Sequence, residues 1–347
     1  MTTEPTAPTA PATASTDNDG ARAPQVAPGA DFTVGMCFDR SFPAAAVTEF
    51  AHRLEAGGVD ELWLIEDCFY TTAPPLAAAA LAVTDRLSVG LGILPAVART
   101  PAITAMEIAT LAGLGPGRVI GGIGHGVQSW MRQMGAETAS PVTTLDEVIG
   151  AVRRLLAGET VTVDGREVHL TDVRLEHAPQ PIPPVVAGVR GPRSLRHAGR
   201  FADGVLLDAP CPPSYVDWAK DQCRRSPDDF QYRCFATMCI VPDRTEAYRI
   251  SAGFLTEMLD QHHPGLAALP FHDELVELGK RGEDALAGMP ADWWGQIGAI
   301  GTLDDAVAYV EQLRDRGIRG VSMFPAPDLE IARGQIDDVI ALRRALT

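Results

Sequence analysis

The sequence predicts an α/β fold, a (β/α)8 barrel of the TIM type. Short apolar runs alternate with stretches of helical periodicity from residue 31 to the end of the 347-residue chain. Eight such runs occur, and most are continuously apolar, which is typical of parallel strands buried on both faces. The first run ends in Cys37-Phe38-Asp39-Arg40, without the glycine fingerprint of an open dinucleotide-binding sheet. The predicted strands are 33–38, 61–66, 87–93, 118–123, 184–189, 204–208, 233–241 and 320–324.

The beginning of the chain has a different composition from the rest. Residues 1–30 consist mostly of Ala, Thr and Pro and show no apolar period, which predicts a disordered tail ahead of one barrel domain at 31–347. The tail lacks the basic start and apolar stretch of a signal peptide. No run of about 18 apolar residues occurs, so we expect no membrane span and a cytoplasmic location.

The net charge limits the classes of partner that the chain can bind, and the cysteine spacing limits its metal and disulfide chemistry. The formal net charge of −16 disfavours nucleic acid and anionic membranes, because both require a basic surface. A small organic molecule is the expected partner. The six cysteines include no C-x-x-C pair, so we expect free thiols and no zinc site.

The helices between the strands begin and end at recognisable signals. Thr144-Leu-Asp-Glu147 and Thr302-Leu-Asp-Asp305 each have the pattern of a capping box at a helix start. Pro43 and Pro101 are predicted as first helical residues, since proline needs no N–H partner there. Gly317 is predicted to end the helix that follows Thr302.

Two segments do not fit a bare barrel. Residues 160–175 predict a small β-hairpin insertion with its turn at Asp164-Gly165. Residues 261–298 have no clean period and include His262, His263, Trp293 and Trp294. This second insertion is interpreted either as a lid or binding loop, or as a variable surface excursion.

Candidate site residues follow the strands, because the active sites of such barrels lie at the C-terminal strand ends. Asp67 follows the second strand, where it could accept a hydrogen bond from a cofactor ring or cap the next helix. Its neighbour Cys68 is a candidate site thiol or a small buried apolar residue. His125 follows the fourth strand as a site donor or a loop histidine.

Glycine-rich turns follow the fourth and fifth strands. Gly188-Val189-Arg190-Gly191 leads into a helix beginning near Pro192, whose backbone amides would attract an anion. Gly122-Ile-Gly124-His-Gly126 places glycines where a backbone must approach something flat or phosphorylated. Ordinary turn chemistry would also explain either segment.

Three segments carry a family resemblance. The stretches 91–101, 116–126 and 187–193, the last followed by Ala198-Gly-Arg-Phe-Ala-Asp-Gly204, resemble the luciferase-like monooxygenase superfamily. That group includes bacterial luciferase, alkanesulfonate monooxygenase and deazaflavin-dependent reductases. The resemblance implies a barrel with insertions, usually dimeric, that binds FMN or the deazaflavin coenzyme F420 at the strand ends.

The resemblance also assigns expected roles. It implies a non-prolyl cis peptide at Leu91-Gly92 or Gly92-Ile93, with Gly92 and Ile93 supporting the cofactor ring and Asp67 at the ring's polar edge. Asp67, Cys68 and His125 are the catalytic candidates, and no metal is expected. The residues implied to hold the ribityl and phosphate arm are Gly124, His125, Gly126, Gly188, Val189, Arg190 and Gly191.

Two positions depart from the family pattern. Many deazaflavin-dependent members end the second strand with Asp-His, where this chain has Asp67-Cys68. The sugar-phosphate dehydrogenase branch uses a glutamate after the fourth strand, where this chain has Val127. The dehydrogenase mechanism therefore does not transfer, and the catalytic acid or base stays open.

The leading hypothesis is transfer of a hydride or electrons between a flavin-type cofactor and a small organic substrate. F420 is favoured over FMN because of the glycine at the presumed bulge. The alternatives are an FMNH2-dependent monooxygenase that uses O2 and a separate flavin reductase, a non-catalytic flavin-binding protein, and a metal-dependent barrel hydrolase. A homodimer is expected from the resemblance.

Overall fold

The computed structural model describes residues 32–224, 226–227 and 229–347, so the predicted tail at 1–30 lies outside the described residues. Strands and helices alternate along the chain, as the sequence predicts. The strands are β1 (Thr33–Phe38), β2 (Glu61–Ile65), β3 (Ser88–Pro95), β4 (Val119–Gly124), β5 (Val161–Asp164), β6 (His169–Val173), β7 (Val185–Gly188), β8 (Gly204–Leu207), β9 (Gln231–Ile240), β10 (Ala299–Gly301) and β11 (Ile318–Phe324).

Helices cover the outside of the sheet and also form the second insertion. A 3-10 turn, Ala44–Ala46, precedes the first helix. The helices are α1 (Val47–Gly57), α2 (Ala73–Ala82), α3 (Pro101–Leu114), α4 (Gln128–Gln133), α5 (Pro141–Leu156), α6 (Pro192–Phe201), α7 (Pro213–Gln222), α8 (Arg244–Asp260), α9 (Pro264–Ala267), α10 (His272–Gly279), α11 (Glu283–Ala287), α12 (Ala291–Ile297), α13 (Leu303–Asp315) and α14 (Leu329–Ala345).

Eight parallel strands close into a barrel. They follow the order β1-β2-β3-β4-β7-β8-β9-β11, and the pairing of β11 with β1 completes the ring. The predicted (β/α)8 barrel is therefore confirmed, and the ends of its eight predicted strands differ from the observed ends by at most two residues. The main core lies between the barrel and its helices and includes Leu54, Ile108 and Ile336.

Helix signals in the sequence match the structure in most places. Thr302 and Asp305 form the predicted capping box at the start of α13, and Gly317 follows its end with a positive φ of 78°. Pro101 is the first residue of α3. Pro43, by contrast, precedes the 3-10 turn, so α1 begins four residues after the predicted proline.

The predicted capping box at Thr144 is wrong. Helix α5 already begins at Pro141, which places Thr144 inside its first turn. Glu147 instead turns to the β5–β6 hairpin, where its carboxylate accepts backbone N–H bonds from Arg166, Glu167 and Val168 at 2.8–2.9 Å. The predicted hairpin is confirmed, and this carboxylate anchors its turn to α5.

The second insertion is helical rather than a loop. Helices α9 to α12 pack with α8 into a separate hydrophobic core. Trp294 is buried there and stacks on Tyr248, with ring centroids 5.1 Å apart, while Trp293 stacks on Phe271 at 4.1 Å. The short strand β10, which the sequence does not predict, pairs with the end of β9 and returns the chain to the barrel.

The structure also bears on two expectations, one about membrane-spanning helices and one about the cysteines. Within the described ranges, no helix combines the length and apolarity needed to cross a bilayer. All six cysteines are free, which confirms the expected thiols.

Candidate active site

Side chains fill the interior of the barrel and leave its C-terminal mouth as the place for a ligand. Trp63 on β2 packs edge-on against Phe235 on β9, with ring centroids 5.4 Å apart. The indole N–H of Trp63 donates to Glu61 Oε2 at 2.9 Å. Because side chains fill the barrel in this way, its interior is a packed core. Reactive groups are therefore expected among the residues that follow the strands.

Ile93 lies at a bulge near the end of β3. The pairing register between β3 and β4 shifts between Leu91 and Leu94, and the Gly92–Ile93 peptide is cis, at one of the two positions that the resemblance implied. A second non-prolyl cis peptide joins Cys68 to Phe69. Ile93 is half-buried, and the register shift leaves it without a paired residue in the β3–β4 ladder.

The glycines on β4 and β7 make room for Ile93. A Cβ at Gly188 would lie 2.7 Å from both Cδ1 and Cγ2 of Ile93, and a Cβ at Gly124 would overlap Ile93 Cδ1. The sequence predicts close approach to a ligand at Gly124, and the family resemblance implies that Gly124 and Gly188 both hold the cofactor arm; these roles stay predictions. In the structure the two glycines receive a side chain of the protein itself, and Ile93 forms the apolar floor of the mouth.

Asp67 has a partner that the sequence does not predict. Arg40, from the end of β1, donates from Nη1 to Asp67 Oδ2 at 2.6 Å. The same guanidinium lies 4.9 Å from the ring centroid of Tyr70 and 5.9 Å from that of Trp130. Burial raises the pKa of Asp67 even though Arg40 acts in the opposite direction, so this carboxyl group takes up a proton more readily than an exposed aspartate.

Cys68 is half-buried beside two carboxylates. Burial raises the pKa of the Cys68 thiol, and the negative charges of Glu66 and Asp67 raise it further. The group is therefore a thiol at neutral pH, which is the opposite of an activated cysteine nucleophile.

Glu66 also has a partner that its place in the sequence does not predict. Its two carboxylate oxygens accept from Arg99 Nη1 and Nη2 at 2.5 and 3.0 Å, and Oε2 also accepts the Ala73 backbone N–H at 2.8 Å. Arg99 also pairs with Glu107 at 2.9 Å. This network joins the loop after β3 to the start of α2 and to α3.

His125 connects the end of β4 to the first turns of α5 and α6. Its Nδ1 lies 3.1 Å from the carbonyl oxygen of Pro141, and its Nε2 lies 2.8 Å from Ser194 Oγ. Burial lowers the pKa of His125 and favours a neutral imidazole. A neutral ring that donates from Nδ1 and accepts the Ser194 hydroxyl proton at Nε2 satisfies both contacts. Its predicted catalytic role stays a prediction.

The start of α6 has the properties of an anion site. Gly191 is the N-cap, no side chain caps the helix, and the first helical bond is Leu195 N–H to the Gly191 carbonyl at 2.9 Å. The amides of Arg193 and Ser194 precede that bond and have no acceptor within a regular helix. Arg190 and Arg193 are both exposed beside this helix start.

Asp208 and His263 connect the mouth to the insertion. Asp208 follows β8, and its Oδ2 lies 3.3 Å from Arg190 Nη2 and 3.7 Å from His263 Nε2. His263 also lines a cavity of about 650 Å³ between α8 and α10. Asp208 ends the predicted strand 204–208, so its position after a barrel strand was a signal that could have identified it.

Comparison with known proteins identifies the family of this chain. A family model described as luciferase-like monooxygenase matches residues 14–320. The chain belongs to the luciferase-like monooxygenase family. The predicted family is thereby confirmed, over most of the barrel and both insertions.

The relatives of this luciferase-like protein include several reductases and dehydrogenases. A 5,10-methylenetetrahydromethanopterin reductase from Methanolobus tindarius is 29% identical over 305 residues, which are 82% of this chain and 92% of that protein. An F420-dependent glucose-6-phosphate dehydrogenase from Kineococcus radiotolerans is 31% identical over 178 residues, 48% of this chain and 52% of that protein. The solved F420-dependent tetrahydromethanopterin reductase from Methanopyrus kandleri superposes with a TM-score of 0.73 at 21% identity, covering 92% of this chain and all of the other.

The predicted site residues differ in their exposure in this luciferase-like fold. Asp67, Cys68, Ile93 and Arg190 are all partly or fully exposed near the mouth, whereas Val189 is buried in the main core. In the described part of the chain, no group of three or more His, Cys, Asp or Glu side chains is arranged to hold a metal. The positions in contact with the protein rather than facing open space are Gly92, Gly124, His125, Gly126 and Gly188.

Proposed function

We propose that this protein is an F420-dependent oxidoreductase that transfers a hydride between the deazaflavin and a small organic substrate. The observation that carries the proposal is the combination of three features at or near the ends of barrel strands. They are a carboxyl group at Asp67, an apolar floor at Ile93, and an uncapped helix start at Gly191. F420-dependent enzymes among the relatives, which include the Kineococcus radiotolerans protein, support the choice of cofactor.

The residues present fit a flat cofactor with an anionic arm. A planar ring needs an apolar surface, which Ile93 offers, and polar groups at its edge, which Asp67 and Arg40 offer. A phosphate needs backbone amides and positive charge, which the start of α6 and Arg190 offer. The bound deazaflavin would supply the hydride chemistry, while the protein binds and orients both reactants.

Protein groups would handle the accompanying proton and the position of the ring. Asp67 has a raised pKa because it is partly buried, so it holds a proton more readily than an exposed aspartate does. Arg40 holds this carboxyl group from the side of β1. Cys68, as a neutral thiol, would contact the ring edge without attacking it.

A cofactor titration tests the proposal. The change in tryptophan fluorescence of the purified protein would be followed against F420 and, separately, against FMN. We expect tight binding of F420 and weaker binding of FMN. Arg190→Gln should weaken F420 binding about tenfold, because a charge-assisted hydrogen bond to phosphate is lost.

Arg196→Gln is the matched control. Arg196 is exposed on the same helix and bonds to Gln222 at 3.0 Å, away from the helix start. Its substitution should leave the F420 affinity unchanged. A preference for FMN would instead favour the FMNH2-dependent monooxygenase with a separate flavin reductase, and no binding of either cofactor at about 100 μM, roughly −5.5 kcal/mol, would contradict the proposal.

We also infer that the protein is a homodimer, because two neighbouring outer helices are almost free of charged residues. Helix α2 has no charged residue, and the one charged residue of α3, Glu107, is bound by Arg99. Met106 and Leu114 on α3 are 52% and 56% exposed. A large exposed apolar surface of this kind is typical of a protein interface.

A further inference from the structure

His263 is a buried histidine with an unsatisfied nitrogen. Its side chain is 1% exposed, and Nε2 has no hydrogen-bond partner among the described residues. Asp208 Oδ2 lies 3.7 Å from this nitrogen, just beyond hydrogen-bond distance. A buried polar atom without a partner is uncommon and calls for an explanation.

The proton of this imidazole faces Asp208. The backbone N–H of Gly265 donates to His263 Nδ1 at 3.1 Å, so Nδ1 is an acceptor. In the neutral ring the proton is therefore on Nε2. The ring also packs edge-on to Tyr215, with centroids 6.5 Å apart, which limits how the imidazole can rotate.

The carboxylate of Asp208 lies at the mouth, and three groups that can donate hydrogen bonds surround it. The side chain is 39% exposed; Oδ1 accepts the Ala209 backbone N–H at 2.9 Å, and Oδ2 faces Arg190 and His263. Burial alone would raise the pKa of Asp208, but His263 and Arg190 outweigh it and lower the pKa. The charge of Asp208 in turn contributes to the raised pKa of Asp67. The pKa values of the two carboxyl groups are thus shifted in opposite directions.

We propose that Asp208 binds the hydrogen-bond donor of the substrate, a hydroxyl or an amine, and that His263 is the positioning residue that holds its carboxylate. This inference rests on the proposed function, because hydride transfer at a carbon bearing such a group requires that group to be held at the mouth. An ionised carboxylate only accepts hydrogen bonds and repels anions. The site therefore selects alcohols or amines over carboxylates and phosphates.

Binding of four six-membered ring probes to the F420-loaded protein tests the selectivity. Cyclohexanol, cyclohexylamine, cyclohexanone and cyclohexanecarboxylate would be compared by saturation-transfer NMR. We expect cyclohexanol or cyclohexylamine to bind most tightly, and their difference to identify the donor. Asp208→Asn should weaken that probe's binding about tenfold to hundredfold, because a hydrogen bond to a charged group is lost. Equal binding of the carboxylate, or no effect of Asp208→Asn, would overturn the inference.

His263→Asn isolates the positioning role. Asparagine can still accept the Gly265 N–H as the N-cap of α9, but it no longer reaches Asp208. We expect a several-fold loss of probe affinity with unchanged F420 affinity. His262→Asn is the control, since His262 is the exposed neighbour and has a φ of 51°, a conformation that asparagine tolerates. Equal effects of the two substitutions would contradict the role of His263.

Two further readouts keep the outcomes separate. If His263→Asn does not fold, the imidazole 15N signals of His263 in the wild type and in Asp208→Asn decide the question. A proton on Nε2, with signals that shift in Asp208→Asn, is expected, and unchanged signals would overturn the pairing. Failure of F420 to bind the wild type would refute the proposed function, whereas normal F420 binding without probe selectivity would refute only this inference.

Discussion

A single side chain explains why two barrel strands end in glycine. Ile93 fills the space that Gly124 and Gly188 leave open at the mouth, so these three positions form one packing unit across β3, β4 and β7. A side chain at either glycine would displace Ile93 from the floor of the site. The unit therefore connects the stability of the barrel to the shape of its mouth.

Gly188→Ala should destabilise the protein by about 1–3 kcal/mol, because the new methyl group lies too close to Ile93. The double variant Gly188→Ala with Ile93→Ala should lose most of this cost, since both atoms within 2.7 Å of the new Cβ are removed. Urea unfolding of the two single variants and the double variant measures the coupling. Additive effects of the two substitutions would show that Ile93 does not fill this space.

At the scale of residues, the positions after the strands could be predicted, and their partners could not. Barrel geometry alone directs attention to Asp67, because every strand end faces the mouth. The partner of Asp67 is Arg40, 27 residues earlier in the chain, and the partner of Glu66 is Arg99, 33 residues later. Such pairs depend on the register of neighbouring strands, which the apolar pattern of a buried strand does not specify.

At the scale of elements, the best-specified helix start is that of α13. Asp305 accepts the Thr302 backbone N–H at 2.8 Å and is bound by Arg244 through Nε and Nη2 at 2.7 and 2.8 Å. The hydrogen bonds with Arg244 are the largest cause that lowers the pKa of Asp305, to about 2. The ionised form is therefore favoured in the folded protein.

Asp305→Asn should lower the free energy of unfolding by about 1 kcal/mol at pH 7, through loss of charge at a helix start. The pKa of Asp305 is about 2 in the folded protein and near 3.9 in the unfolded chain. The charge of Asp305 therefore contributes its full stabilisation above about pH 3.9. It should shrink as the pH falls toward 2. Urea unfolding of both proteins from pH 7 downward measures the difference, and a difference independent of pH would contradict the assignment.

Sequence signals for elements succeed where they are long and fail where they are short. The apolar runs of the barrel strands are strong signals, whereas β10 has three residues and the helices α9, α11 and α12 have four to seven. Two turns of helix are too few to show a period. The pattern at Thr144 failed for another reason, since Glu147 serves the β5–β6 hairpin, a tertiary contact that competes with local capping.

At the scale of the whole molecule, the apolar faces of α2 and α3 set the expected assembly. Met106→Glu would place a charge within the proposed interface, and we expect it to convert the dimer to a monomer in light scattering after gel filtration. Ile331→Glu is the matched control, because Ile331 is an exposed apolar residue of α14, 57% exposed. A wild-type protein that is monomeric, or a dimer that persists in Met106→Glu, would contradict the proposed interface.

The insertion that follows β9 has a consequence for engineering. It leaves the barrel through Met238–Ile240 and returns through Ala299–Gly301, two segments that lie side by side as neighbouring strands. Their backbones are therefore only about 5 Å apart, and the helices between them keep a core of their own. This geometry forms a splice point at which one cassette could be exchanged for another without breaking the barrel ring. A library of such cassettes grafted onto a constant barrel would vary the reactants accepted while the cofactor machinery stays the same.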